Sequence, residues 1–429
     1  MVDNKSREVN FYIHEICTAT TNQEAKALYQ LFKPYLPPCK FIFSSDSGVM
    51  PGLSVNREFS SGAVIRSLFQ SNNVVVLDPD TLREMNDGGA LFPIDYSISL
   101  DTQALSYLEP YIAGNTSKIP DDYSEVFNFI AQENVFVDPL PYCYENLHNL
   151  KDQEKSEKIF NKIKSYEILR TIDEDQLKTK GLVISKLSEK ELIKQTQEHL
   201  SRMHMNLSDK KFMDALEFQQ QFMYCQLLMM AKIQICHPQK STHKKVILFM
   251  EFCDEKLATL GGREIAIART YFEVGQKFTF FGKVQKNKKD IFQIIDGMAW
   301  DLWHIRQLES ASTITPDSKA RYFFPSLLTF DKRLIEVIDL YPLRSLAYIN
   351  SDRIPMPFYD GNWFELIAST PEQQTSIADQ FYSNDSISSR DARRGSLKLE
   401  LTGIITNIEN SLAKLCPAAI PLKKSSQCK

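Results

Sequence analysis

Two aspartates occupy the same kind of position in this chain of 429 residues. Ile98-Ser99-Leu100-Asp101-Thr102 and Leu327-Leu328-Thr329-Phe330-Asp331 each read as a short apolar strand that delivers an acid at its carboxyl end, with a helix beginning at once. In open α/β sheets, ligands bind in the crevice outside the carboxyl ends of the strands. Carboxylates that converge there without basic partners repel one another unless a hard cation neutralises them, and an all-oxygen ligand set suits Mg²⁺ or Mn²⁺ rather than zinc. The same position also favours a helix N-cap, in which the side chain accepts bonds from the first free backbone N–H groups. Both readings stand for Asp101 and for Asp331.

The residues around these acids resemble a known family. SLDTQALSYL is similar to the opening strand and helix of PIN-domain nucleases, where the strand ends in an aspartate often followed by Thr and then Asn or Gln. LLTFDKRLIEV resembles the late strand with its Thr-x-Asp signature, and GMAWDLWHIRQL resembles the intervening helix that carries a further acid, here Asp301. The resemblance implies a compact, Rossmann-like α/β fold that cuts single-stranded RNA, sometimes DNA, with carboxylates around a divalent metal. Carried onto this chain, it makes Asp101, Asp301 and Asp331 metal ligands and Thr329 a supporting hydroxyl that orients water or a carboxylate. For the remaining catalytic acid it leaves two candidates: Glu145, at a family-like distance after Asp101, and Glu264 in GGREIAIARTYF. Asp296 is the weaker choice, because residues i and i+5 do not share one helical face.

The implied reaction is phosphodiester hydrolysis with Mg²⁺ or Mn²⁺ as cofactor and single-stranded RNA as the favoured partner. Substrate phosphates need cations, and the local sources are Arg263, Arg306, Lys332, Arg333 and the run KVQKNKK at 283–289. A charge run is more often a solvated face. Trp300, Trp303 and Tyr107 have the chemistry to stack bases, although aromatic residues at helical spacing more often fill a core. A second reading keeps the scaffold and drops the catalysis: a PIN-like domain whose acids are caps and whose insertion binds a protein partner, nucleic acid or a second copy of the chain. Val74-Val75-Val76-Leu77-Asp78-Pro79-Asp80 imitates the nucleophile motif of haloacid-dehalogenase-like phosphatases, but the expected Thr or Val position holds Leu82. Asp78-Pro79 then starts a turn and Asp80 caps the following helix. No G-x-S-x-G or P-loop pattern occurs, and the histidines pair with no neighbouring acid at metal-ligand spacing, which disfavours a Ser or Cys hydrolase.

The elements that must position these residues follow from composition and pattern. With 43% hydrophobic residues, 24% charged residues and a net charge of -4, the chain is an ordinary globular one without a global basic field. Only 15 glycines disfavour turn-rich all-β architectures and favour a helix-rich α/β fold with a PIN-like parallel sheet core. The expected organisation is an N-terminal α/β extension (1–90), the first part of the core (91–150), a Lys/Glu-rich, solvent-facing helical insertion (151–240), the second part of the core (241–345) and a C-terminal extension (346–429). Within the last, SNDSISSRDARRGS reads as a flexible surface segment and Ser396–Leu415 as an amphipathic helix. Eight cysteines without a C-x-x-C pair read as small hydrophobes of a reducing compartment. The charged start MVDNKSREVNFYIHEI is no signal peptide, and no apolar run of about 18 residues spans a membrane, so the expected location is the cytoplasm.

Overall fold

A computed structural model describes residues 4–50, 56–89, 94–316 and 320–420, so Cys428 and the first residues of the N-terminus lie outside the described residues. The chain divides into two compact units, one formed by 1–212, 305–332 and 342–360 and the other by 213–304, 333–341 and 361–429.

The first unit is α/β and holds every strand among the described residues. In chain order these are β1 (Cys39–Val49), β2 (Arg57–Glu58), β3 (Val64–Arg66), β4 (Val74–Leu77), β5 (Ile94–Leu100), β6 (Val137–Asp138), β7 (Tyr322–Thr329), β8 (Leu343–Ile349) and β9 (Met356–Tyr359). They form two sheets, ordered β4-β1-β8-β9 and β2-β3-β7-β5-β6. The first sheet is antiparallel throughout. Helices Asn4–Thr18 and Asn22–Phe32 bury Val9, Ile13, Ile16 and Tyr29 against Phe41, Phe43 and Leu77 of that sheet. The second sheet is mixed: β5 runs parallel to β6 and β7, whereas β3 pairs antiparallel with β7 and β2 with β3. The expected all-parallel core therefore reduces to three strands. The central strand of the five-stranded sheet, β7, is buried from Phe324 to Thr329, as a strand covered on both faces requires, which explains its mostly apolar sequence.

Residues 1–89 are thus part of the same unit as β5 and β7, because β1 pairs with β8 and β3 with β7. The expected Lys/Glu-rich region forms the helices Gln153–Arg170, Glu174–Lys180 and Glu189–Ser208, which bury only a narrow stripe such as Ile159, Ile163, Leu169 and Leu192.

Among the described residues of the second unit the regular elements are all helices. Its main helices are Lys210–Cys236, counted from Met213, Thr242–Leu257, Gly262–Val274, the 291–304 portion of Ile291–Ala311, and Leu397–Leu415. The expected flexible segment is instead the helix Asn384–Arg393: the Ser383 hydroxyl accepts the Ser386 N–H as N-cap, and the buried Arg390 donates to Asp254 at 2.6 Å. A charged segment is ordered there by a partner far away in sequence, which no local pattern records. Among the described residues no helix is long and apolar enough to cross a membrane.

At the start of helix Pro79–Asn86 the cap is Asp78, not Asp80: its Oδ1 accepts the Thr81 N–H at 2.7 Å, and its Oδ2 accepts the hydroxyl of Tyr322 from β7 at 2.6 Å. Asp80 lies one position inside the helix, where it meets Arg83. Burial alone would raise the Asp78 carboxyl, but the Thr81 N–H and the Tyr322 hydroxyl outweigh it, and the group is held below its ordinary value. A carboxyl whose folded value is depressed contributes stability above its unfolded value and loses it as pH falls through the folded one. Urea unfolding of the wild type should therefore weaken on acidification below about pH 4, and Asp78→Asn should weaken less over the same interval while being less stable at pH 7.

Candidate functional site

In the first unit, all three parallel strands end at or near an aspartate. β5 and β7 pair in register from Ile94 opposite Tyr322 to Leu100 opposite Leu328, and the Asp101 N–H continues the ladder by donating to the Leu328 carbonyl at 3.1 Å. Neighbouring strands lie about 4.8 Å apart. Asp101 is therefore level with Thr329 on the adjacent strand, and Asp331 follows two residues beyond. The acids that the sequence placed at two separate strand ends are delivered to one edge by two neighbouring strands.

Each acid is fixed by its own local device. Asp101, 8% exposed, is the N-cap of helix Thr102–Ile112, its Oδ1 accepting the Ala104 N–H at 2.5 Å. The hydroxyl of the fully buried Thr329 accepts the Asp331 N–H at 2.9 Å, which sets the turn that carries Asp331 rather than touching its carboxyl. Glu145, the last residue of helix Leu140–Glu145, accepts the Thr102 hydroxyl at 2.7 Å, which brings a third acid beside the residue that follows Asp101. Of the two candidates for the remaining acid, Glu145 is the one that shares this edge within the unit.

The turn between β2 and β3 opens at the same edge, because Val64 pairs with Thr329. Gly62 sits there at φ +82°, and a Cβ on it would lie 3.4 Å from the Lys332 side chain. A left-handed backbone and a close cation both favour glycine at this position. The adjoining Ser60 donates through its N–H and hydroxyl to Glu125 at 2.9 and 2.6 Å, holding that exposed carboxyl below its ordinary value. Buried Tyr123 lies near enough to Asp101 that, after burial itself and the neighbouring Tyr111 and Tyr107, the acid helps drive its hydroxyl upward.

Other expected site residues lie in the second unit. Asp301 is half-buried on helix Ile291–Ala311; Arg263 and Glu264 are buried in the first turn of Gly262–Val274; Arg333 is the second residue of helix Lys332–Leu340. Asp296 accepts the Gln220 amide at 2.8 Å. Arg306, in the first unit, donates to the buried Glu309 at 2.7 Å and reaches the Tyr359 hydroxyl at 3.4 Å, a structural ion pair. Trp303 is buried and donates to Gln219, as core aromatics do, whereas the lysines at 283–289 are exposed.

Two constellations escaped the sequence reading. Asp138 ends β6 and accepts the hydroxyls of Ser97 and Ser99 and the Leu140 N–H; burial nevertheless pushes its carboxyl above the ordinary range. All three parallel strands thus end at or near an aspartate, and Phe136-Val137-Asp138-Pro139 carried a short form of the same signal. The second is a chain from three helices: Cys143 Sγ lies 3.6 Å from His199 Nε2, and His199 Nδ1 lies 3.3 Å from Glu167 Oε1. Its order is that of a thiol hydrolase. Its environment is not, because the thiol is 3% exposed and burial drives it upward, away from the thiolate a nucleophile requires.

Among the described residues, no group of three or more His, Cys, Asp or Glu side chains is gathered to hold a metal ion. Asp101, Asp331 and Glu145 at the β5–β7 edge thus do not make up such a group. Capping by Asp101 has its own test: Asp101→Ala should destabilise the unit by about 1 kcal/mol, whereas Asp101→Asn, itself a good cap, should leave the denaturation midpoint nearly unchanged. Comparison of the chain with protein-family models, with curated proteins and with solved structures finds no match.

Proposed function

We propose that this protein is a divalent-metal-dependent nuclease of PIN-like type that hydrolyses phosphodiester bonds, with single-stranded RNA as the favoured substrate. The observation that supports it best is the register of β5 and β7, which sets Asp101 level with Thr329, two residues before Asp331, at one carboxyl edge. Those two acids are the ligands of choice for Mg²⁺ or Mn²⁺, with Glu145 the accompanying acid. A bound ion of this kind supplies a more acidic water and neutralises charge on the phosphate. The chain's own part is positional. The helix cap fixes Asp101, Thr329 fixes the backbone of Asp331, Thr102 holds Glu145, and exposed Lys332 provides a cation for a substrate phosphate beside them. Asp301 and Glu264 enter this proposal only through the family resemblance.

The rival reading is a non-catalytic PIN-like scaffold, favoured by the use of Asp101 Oδ1 as a cap. Incubation of the full chain with labelled single-stranded RNA and DNA, in Mn²⁺, Mg²⁺ or EDTA, separates the two. The nuclease reading expects cleavage that EDTA abolishes and that falls at least about a hundredfold in Asp101→Asn and in Asp331→Asn, without loss of fold. Cleavage retained in both variants removes Asp101 and Asp331 as the site, and no cleavage with either metal favours the scaffold.

A further inference from the structure

We propose that Tyr107, Tyr111 and Phe330 form a nucleobase-stacking platform beside the Asp101–Asp331 edge, on which successive bases of a single strand lie. This rests on the nuclease reading and names how its polymer is held. Helix Thr102–Ile112 turns Ala104, Leu105 and Leu108 inward, while Tyr107 and Tyr111, four residues apart and so neighbours on one face, stay half-exposed. Phe330, between Thr329 and Asp331, is also half-exposed, and its ring meets that of Tyr107 edge-to-face at 5.0 Å. Beneath them lie two buried rings. Tyr123 is 5.8 Å from Tyr107, 5.1 Å from Tyr111 and 5.9 Å from Phe330, and Phe127 is 4.6 Å from Tyr111.

The buried pair holds the outer three in place. The Gln103 amide, donating to the Tyr107 hydroxyl at 2.6 Å, fixes that ring further. Aromatic rings ordered before binding lose little freedom when a base stacks on them. An exposed cation, Lys332, follows Asp331 beside the platform. A duplex keeps its base faces stacked on one another, so only an unpaired strand can offer them to such a surface.

The test is fluorescence anisotropy of the full chain with labelled oligouridine and with its duplex, in EDTA so that no metal-dependent cleavage interferes. Wild type should bind the single strand tighter than the duplex. Tyr107→Leu/Tyr111→Leu keeps apolar packing but removes the π faces, and should weaken single-strand binding at least about tenfold; Tyr107→Phe/Tyr111→Phe should bind as wild type does. Unchanged affinity in the leucine variant, or no single-strand binding by wild type, overturns the platform. Metal-dependent cleavage lost in Asp331→Asn alongside unchanged binding by the leucine variant would remove the platform and leave the nuclease standing. Ring-dependent binding without cleavage by wild type would do the reverse.

Discussion

The pairing of β5 with β7 is the constraint on which the candidate site depends. A parallel ladder has a side-chain period of two, so a slip of one residue would turn every buried side chain of β5 to the other face and move Asp101 away from its level with Thr329. The slip is blocked because Ile98 and Leu100 are buried on one strand and the whole of Phe324–Thr329 on the other. Hydrophobic burial, rather than any polar contact, sets where the acids stand. β3 reinforces the arrangement by pairing with the opposite edge of β7 and bringing the Gly62 turn and Lys332 to the same end.

Asp101 and Asp331 are held at their strand ends by different local bonds. One oxygen of Asp101 accepts the Ala104 N–H and so serves the start of the helix. Asp331 differs: its turn is fixed through its backbone by Thr329, so its carboxylate carries no part of that local bond. Asp138 is the contrasting case, since burial favours its neutral form and two serines and a backbone N–H occupy it.

Much of the fold was legible in the chain. The runs Val74–Leu77, Ile98–Leu100 and Leu327–Thr329 and the final helix are local signals, written in apolar periodicity, and the structure carries an element at each. Where local signals misled, a distant partner had overridden them. Tyr322 holds Asp78 as the cap that Asp80 was expected to be, and Asp254 orders a serine- and arginine-rich segment that reads as loop.

By itself the sequence determined which residues could do chemistry at strand ends, because a strand that ends in an acid before a helix is a pattern within about six consecutive residues. It could not determine that β5 and β7 are neighbours across more than two hundred intervening residues, nor that Glu145 meets Thr102 while Asp301 and Glu264 belong to a separate helical unit. Nor could it show that Cys143, His199 and Glu167 line up, or that Tyr107, Tyr111 and Phe330 share one patch of rings. Those are long-range pairings, chosen by which apolar faces bury together, and burial is a property of the assembled core rather than of any segment.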